Sequence, residues 1–268
     1  MKYRFSIFLV YATFIGSQSL LAAEEKRPVD VEIVLAVDIS DSVSQKEHEA
    51  QIEGIAKAFE SSKLQQVIKN LRTKRIAVSL LLWAGEEEQL LAVPWQEIHD
   101  SRSALAFANA VRSKQEKPWP GLLYTAMGNA LQVAANAINQ NEFEGDRKVI
   151  DISSDDPSNR GLEPSIARDL LLTQGIVING LPILADRLDQ ESRRELVDYF
   201  YENIVGGPLS FVKPALSFSH YTEAFSRKFL IEISGIQPPT DIGYWGPPAK
   251  NLSLSALKVT VQFEKRDN

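Results

Sequence analysis

Asp38, Ser40 and Ser42 alternate along Asp38-Ile39-Ser40-Asp41-Ser42, directly after the apolar run Val31 to Val37. One carboxylate and two hydroxyls at every second position are hard oxygen donors. They suit a divalent cation that keeps part of its water shell, as magnesium does. The same residue types also cap helices and build turns, so the triplet alone specifies little. Two more positions extend it. Thr125 opens Thr125-Ala126-Met127-Gly128-Asn129-Ala130, and Asp155 follows a second apolar run, Lys148 to Ser153. The set then holds two carboxylates, which offset a divalent charge, and three neutral hydroxyls, which leave the ion electrophilic.

The elements that must position these groups follow from the residue pattern. Val31 to Val37 is rich in β-branched residues and reads as a buried strand. The triplet therefore sits at a strand's carboxyl end, where open α/β sheets hold their ligands. Ser44 and Glu47 form a capping box for a helix with Ile52, Ile55, Ala56 and Phe59 on its apolar face. Leu64, Val67, Ile68 and Leu71 continue it past a break at Ser61-Ser62. Arg75 to Ala84 reads as a second buried strand, Gly85 to Glu88 as a solvated acidic turn, and Gln89 to Trp95 as a returning edge strand stopped by Pro94. The pattern predicts further helices over 104–111, 125–138, 164–174, 190–201 and 215–233, and strands over 148–153, 176–181 and around 210–212. Such alternation predicts an α/β fold: a doubly wound, mostly parallel sheet with one antiparallel edge strand and helices on both faces.

Composition narrows the function classes. The 268 residues are 44% hydrophobic and 24% charged, enough to bury a full core. A net charge of -6 leaves no basic surplus for nucleic acid. The absence of cysteine excludes disulfides, thiolate metal sites and a lipid-modified amino-terminal Cys. His48, His99 and His220 are far apart and form no zinc-protease pair. Lys2 and Arg4, the apolar Phe5 to Ile15 and the small Ala22-Ala23 read as a signal peptide over residues 1–23. Gly16-Ser17-Gln18-Ser19 interrupts that apolar run before the roughly 20 residues a membrane span needs. The expectation is an exported protein, periplasmic or extracellular, with no stable membrane span once the signal is removed. A globular domain over 29–234 then precedes a Pro-rich appendage or tail, 235–268, marked by Pro238-Pro239 and Pro247-Pro248.

On these residues the chain resembles the von Willebrand factor A family. Its metal-ion-dependent adhesion site is D-x-S-x-S, a Thr in a T-x-x-G-x-A stretch, and an Asp after the fourth strand. Asp151 to Gly161, Gly180-Leu181-Pro182-Ile183 and Gly206-Gly207-Pro208 are similar to an uncharacterised branch of exported bacterial proteins within it. The resemblance implies a Rossmann-type domain in which Ser40 and Ser42 bind Mg2+ (or Mn2+) directly. Asp38, Thr125 and Asp155 would coordinate directly or through water, leaving one position for a carboxylate of a protein or polysaccharide partner. The implied function is a non-enzymatic, metal-dependent binding module.

Two other readings compete. A magnesium-dependent hydrolase or phosphotransferase would use Asp38 as nucleophile, but enzymes of the haloacid-dehalogenase type carry a second Asp where this chain has Ser40. Neither a G-x-S-x-G elbow nor a phosphate-binding loop is present. A structural envelope protein would use the metal only to stabilise its fold. One position departs from the family pattern: Asp156 stands where Gly usually follows the last Asp. A third carboxylate there is expected to strengthen cation attraction and to make an acidic partner less welcome.

Overall fold

The computed structural model describes residues 25–236, so the signal peptide expected over 1–23 and the tail from residue 237 lie outside the described residues. Five strands form one sheet: β1 (Arg27–Asp38), β2 (Ile76–Trp83), β3 (Gln89–Ile98), β4 (Phe143–Ser154) and β5 (Ile176–Pro182). Their order is β3-β2-β1-β4-β5. All pairings are parallel except β2 with β3. The fold is the doubly wound α/β type that the sequence pattern predicts. The order reverses between β1 and β4, and the carboxyl ends of those two strands form the crevice where such sheets place ligands.

β1 is buried on both faces, which explains its unbroken apolar composition. Val31, Ile33, Leu35 and Val37 point to one core, packed by α1 (Gln45–Glu60), α2 (Ser62–Asn70), α3 (Ser101–Arg112) and α7 (Tyr221–Ser234). Val34 and Ala36 point to the other, packed by α4 (Met127–Gln140), α5 (Pro164–Leu172) and α6 (Gln190–Tyr199). Phe59 anchors the first core, 4.4 Å from the ring of Phe107 and 4.9 Å from that of Phe229. Aromatic pairs at such spacing add about 0.5–1.5 kcal/mol each beyond their buried area. Clamped by both cores, β1 delivers its terminal Asp38 to a fixed point.

The structure corrects several expected boundaries. β3 does not stop at Pro94 but runs on to Ile98. Register shifts opposite Val78, Leu80 and Leu81 mark bulges on this edge strand, where a missing proline N–H leaves no ladder bond unmade. The strand expected around 210–212 is reduced to isolated bridges, Gly180 with Val212 and Ile183 with Ala215. The last helix starts at Tyr221, because Ala215 is used in one of those bridges. Thr125 lies before α4, whose N-cap is Ala126, and is not a helical residue.

Candidate metal centre

The loop after β1 is set by bonds at both ends. Ile39 N donates to Trp83 O at 2.9 Å, which carries the β1–β2 pairing one residue past the strand. The capping box expected at Ser44 is formed: Glu47 N donates to Ser44 Oγ at 3.3 Å and Ser44 N to Glu47 Oε2 at 2.8 Å. Between these anchors Asp38 Oδ1 accepts from Ser40 N at 2.8 Å, folding the loop back on its own carboxylate. Ser40 Oγ lies 3.0 Å from Ser42 Oγ, and Ser42 Oγ donates to Asp155 Oδ1 at 2.7 Å. A hydroxyl has one proton, and that of Ser42 goes to Asp155. Ser40 is therefore the donor to Ser42, and Ser40, Ser42 and Asp155 form one directed chain.

Thr125 arrives by another route. Ala126 N donates to Ala84 O at 2.7 Å, pinning the start of α4 to the residue after β2. Asn159 clamps Thr125 from above: Thr125 N donates to Asn159 Oδ1 at 2.9 Å, and Asn159 N to Thr125 O at 2.9 Å. Ser158 Oγ donates to Thr125 O at 3.0 Å. Thr125 is only 3% exposed, yet its hydroxyl makes no hydrogen bond among the described residues. The structure thus links four of the five expected residues by direct hydrogen bonds and holds Thr125 through the loop that follows Asp155.

Charge at this point is concentrated and dry. Asp38 and Asp155 are both fully buried. Burial, reinforced by the neighbouring Asp155 carboxylate, pushes Asp38 up to about 7. Burial likewise raises Asp155. Two buried carboxylates that resist ionising together, beside the hydroxyls of Ser40 and Ser42, match a hard divalent cation in donor type and charge. Among the described residues no three His, Cys, Asp or Glu gather as a metal cluster. The fit lies in this mixed carboxylate–hydroxyl set.

Several groups around the site were not found from the sequence. Ser154 Oγ lies 2.5 Å from Asp38 Oδ2, so both Asp38 oxygens are held. Gln51 Nε2 donates to Asp38 O at 3.1 Å. Lys117 Nζ donates to Ser40 O at 3.0 Å and also to Val43 O, tying the loop from outside. Arg187, between β5 and α6, donates from Nη2 to Asp155 Oδ2 at 3.0 Å and lies 2.9 Å from Asp156 Oδ2. The charge of Asp156, expected from the sequence to strengthen cation attraction, is paired with Arg187. Glu86 of the acidic turn pairs with Arg160 at 3.0 Å, and both are exposed.

The family described as "Protein of unknown function (DUF1194)" matches residues 28–237, most of the chain. The chain belongs to the DUF1194 family. No curated protein matches it. Among solved structures, the open conformation of the pilus adhesin SpaC from Lactobacillus rhamnosus GG is similar, with a TM-score of 0.55 and 15% identity. That match covers 78% of this chain and 31% of the adhesin. Proximal thread matrix protein 1 from the mussel byssus, with its MIDAS motif occupied by zinc, gives a TM-score of 0.55 at 17% identity. It covers 78% of this chain and 49% of that one. This DUF1194 chain thus spans about a third to a half of the length of these two structures, and its fold is von Willebrand factor A-like.

Proposed function

We propose that this protein is an exported, non-enzymatic binding module whose site holds a divalent cation through Asp38, Ser40, Ser42, Thr125 and Asp155. Mg2+ or Mn2+ is the proposed ion, because neutral hydroxyls and carboxylates favour hard cations over zinc. The observation that carries the reading is the Ser40–Ser42–Asp155 hydroxyl chain, built from two segments at the carboxyl ends of adjacent parallel strands. The adhesin and the zinc-bearing matrix protein of like fold are consistent with it.

When bound, the cation would supply an electrophilic centre for an acidic group of a partner, protein or polysaccharide. The chain's own residues orient the site: Ser154 and Ser40 N fix Asp38, while Asn159 and Ser158 fix Thr125. Export is supported by the signal-like residues 1–23, and the binding domain is placed over 29–234 with a tail beyond it. No described helix is long and apolar enough to cross a membrane.

The test is calorimetric titration of the mature chain with Mg2+ and Mn2+, followed by affinity capture from an envelope extract with and without chelator. Metal uptake with chelator-sensitive capture supports the module. No uptake at millimolar cation refutes the site, and uptake that changes melting but not capture makes the metal structural only.

A further inference from the structure

Arg187 lies at the rim, neutralises part of the site's charge and keeps donors in reserve. Its contacts run through a single nitrogen: Nη2 reaches Asp155 Oδ2 at 3.0 Å, Asp155 O at 3.3 Å and Asp156 Oδ2 at 2.9 Å. A guanidinium carries five N–H donors. Those on Nε and Nη1 make no hydrogen bond among the described residues, and the side chain is 42% exposed. The head is anchored on its inner side and open on its outer side.

The backbone that carries it is fixed. Leu184 N donates to Ala215 O at 2.8 Å, and Leu188 N to Ala185 O at 3.0 Å, closing a turn around Arg187. Arg193 Nε donates to Leu188 O at 3.1 Å from α6. Leu184 and Ala185 are buried in the core beneath. A long side chain on a fixed turn, held by two carboxylates, loses little further freedom when it meets a ligand.

The charges around the crevice are Asp38, Asp41, Glu47, Asp155 and Asp156 against Lys117 and Arg187. A divalent ion offsets most of the remaining negative charge, so a carboxylate approaches with little repulsion. Without Arg187 the loaded site would be more negative by one charge. It would then attract the cation more strongly and the carboxylate less.

We infer that Arg187 selects carboxylate ligands at this site, its outer N–H groups making the second contact to an acidic group whose first contact is the cation. The inference rests on the metal-binding reading above and adds a residue to it. It makes a signed prediction, since a residue that only held the loop would move both affinities the same way.

The experiment uses Arg187→Gln and Arg187→Lys in the mature full chain, with folding checked by thermal melting. Mn2+ affinity is read by calorimetry. Carboxylate binding is read from paramagnetic broadening of the acetyl signal of N-acetyl-aspartate amide by the Mn2+-loaded protein. Arg187→Gln should tighten Mn2+ several-fold and weaken the probe about tenfold, as loss of a charge-assisted contact does. Arg187→Lys should restore Mn2+ affinity to the wild-type value. No Mn2+ uptake by wild type would overturn the metal reading and this inference together. Uptake without probe broadening in wild type would overturn only the inference. So would equal probe binding by wild type and Arg187→Gln, or a fall in both affinities in Arg187→Gln.

Discussion

Ser42 gives its hydroxyl proton to Asp155 at 2.7 Å across 113 residues of chain. The bond joins the loop after β1 to the loop after β4, so it reports whether the two halves of the site are in register. Ser42→Ala should lower melting by about 1 kcal/mol, the usual worth of one such bond, and weaken Mg2+ at least tenfold through loss of a ligand and its orientation. Thermal melts with and without Mg2+ measure both, and an undiminished Mg2+ shift would remove Ser42 from the site.

Asp38 and Asp155 oppose each other electrostatically, so neutralising one should help the fold while harming cation binding. Asp38→Asn keeps an acceptor for Ser40 N and removes the buried charge that Asp155 repels. It should melt no lower than wild type without metal and lose the Mg2+ stabilisation, about 2.7 kcal/mol at a hundredfold excess over the dissociation constant. Differential scanning calorimetry at 0 and saturating Mg2+ reads both. A variant that is equally stabilised by Mg2+ would show that the ion sits elsewhere.

Thr125 and Asn159 separate ligation from support. Thr125→Ala removes a hydroxyl with no partner among the described residues and should leave melting nearly unchanged while lowering cation affinity. Asn159→Ala strands the Thr125 N–H and should cost about 1–3 kcal/mol of stability besides weakening the cation. Equal stability losses in the two would mean that Thr125 is a packing residue.

A second buried charge cluster predicts a pH dependence away from the site. Lys228 Nζ lies 2.5 Å from both Asp151 Oδ1 and Glu232 Oε1, on the sheet face beneath α7. Asn179 donates to Glu232 at 2.8 Å, and Arg147 donates to the carbonyls of Glu232 and Ile233. Burial, then the nearby Asp151, pushes Glu232 up to about 8 from its ordinary 4.5. The folded state therefore binds more protons than the unfolded one between those values. Its contribution to stability is fully present below about 4.5 and is lost as pH rises through about 8. Melting should fall as pH rises from about 4.5 to about 8, and Glu232→Gln should flatten that slope. A slope unchanged in Glu232→Gln would assign the titration to another group.

Catalysis is the competing reading, and it has a direct assay. Asp38 is buried and has both oxygens bonded to protein donors, Ser40 N and Ser154 Oγ. Metal-loaded protein should not turn over p-nitrophenyl phosphate above the rate of the free ion. Turnover that vanished in Asp38→Asn would replace the binding module with an enzyme.

The five candidate ligands were legible because each is a polar residue at a place where an apolar pattern breaks. Asp38, Ser40 and Ser42 close the run of β1, Asp155 closes that of β4, and Thr125 precedes the amphipathic α4. Arg187 had no such mark. Its nearness to Asp155, 32 residues earlier, comes from β5 lying beside β4, and pairing of strands is a long-range property. Ser158 and Asn159 lay in a stretch similar to the family, yet their role as clamps depends on a loop folding over the start of α4. The strand expected near 210–212 had the right composition but only isolated bridges to pair with, since propensity does not create a ladder.

β1 has a mechanical meaning as well as a positional one. The described chain enters the sheet at Arg27, and α7 leaves beside Arg147, whose register partner is Val31. The candidate site lies past Asp38, at the far end of the same strand, about 40 Å from Arg27 at the usual rise per residue. A partner pulling on the site against a tether at the amino-terminal end of β1 therefore loads that strand along its own axis. That axis is hydrogen-bonded on both flanks, to β2 from Val31 to Asp38 and to β4 from Arg27 to Val37. Those bonds are sheared together and are not peeled one by one, so a grip on this site is borne by the two ladders of β1 at once.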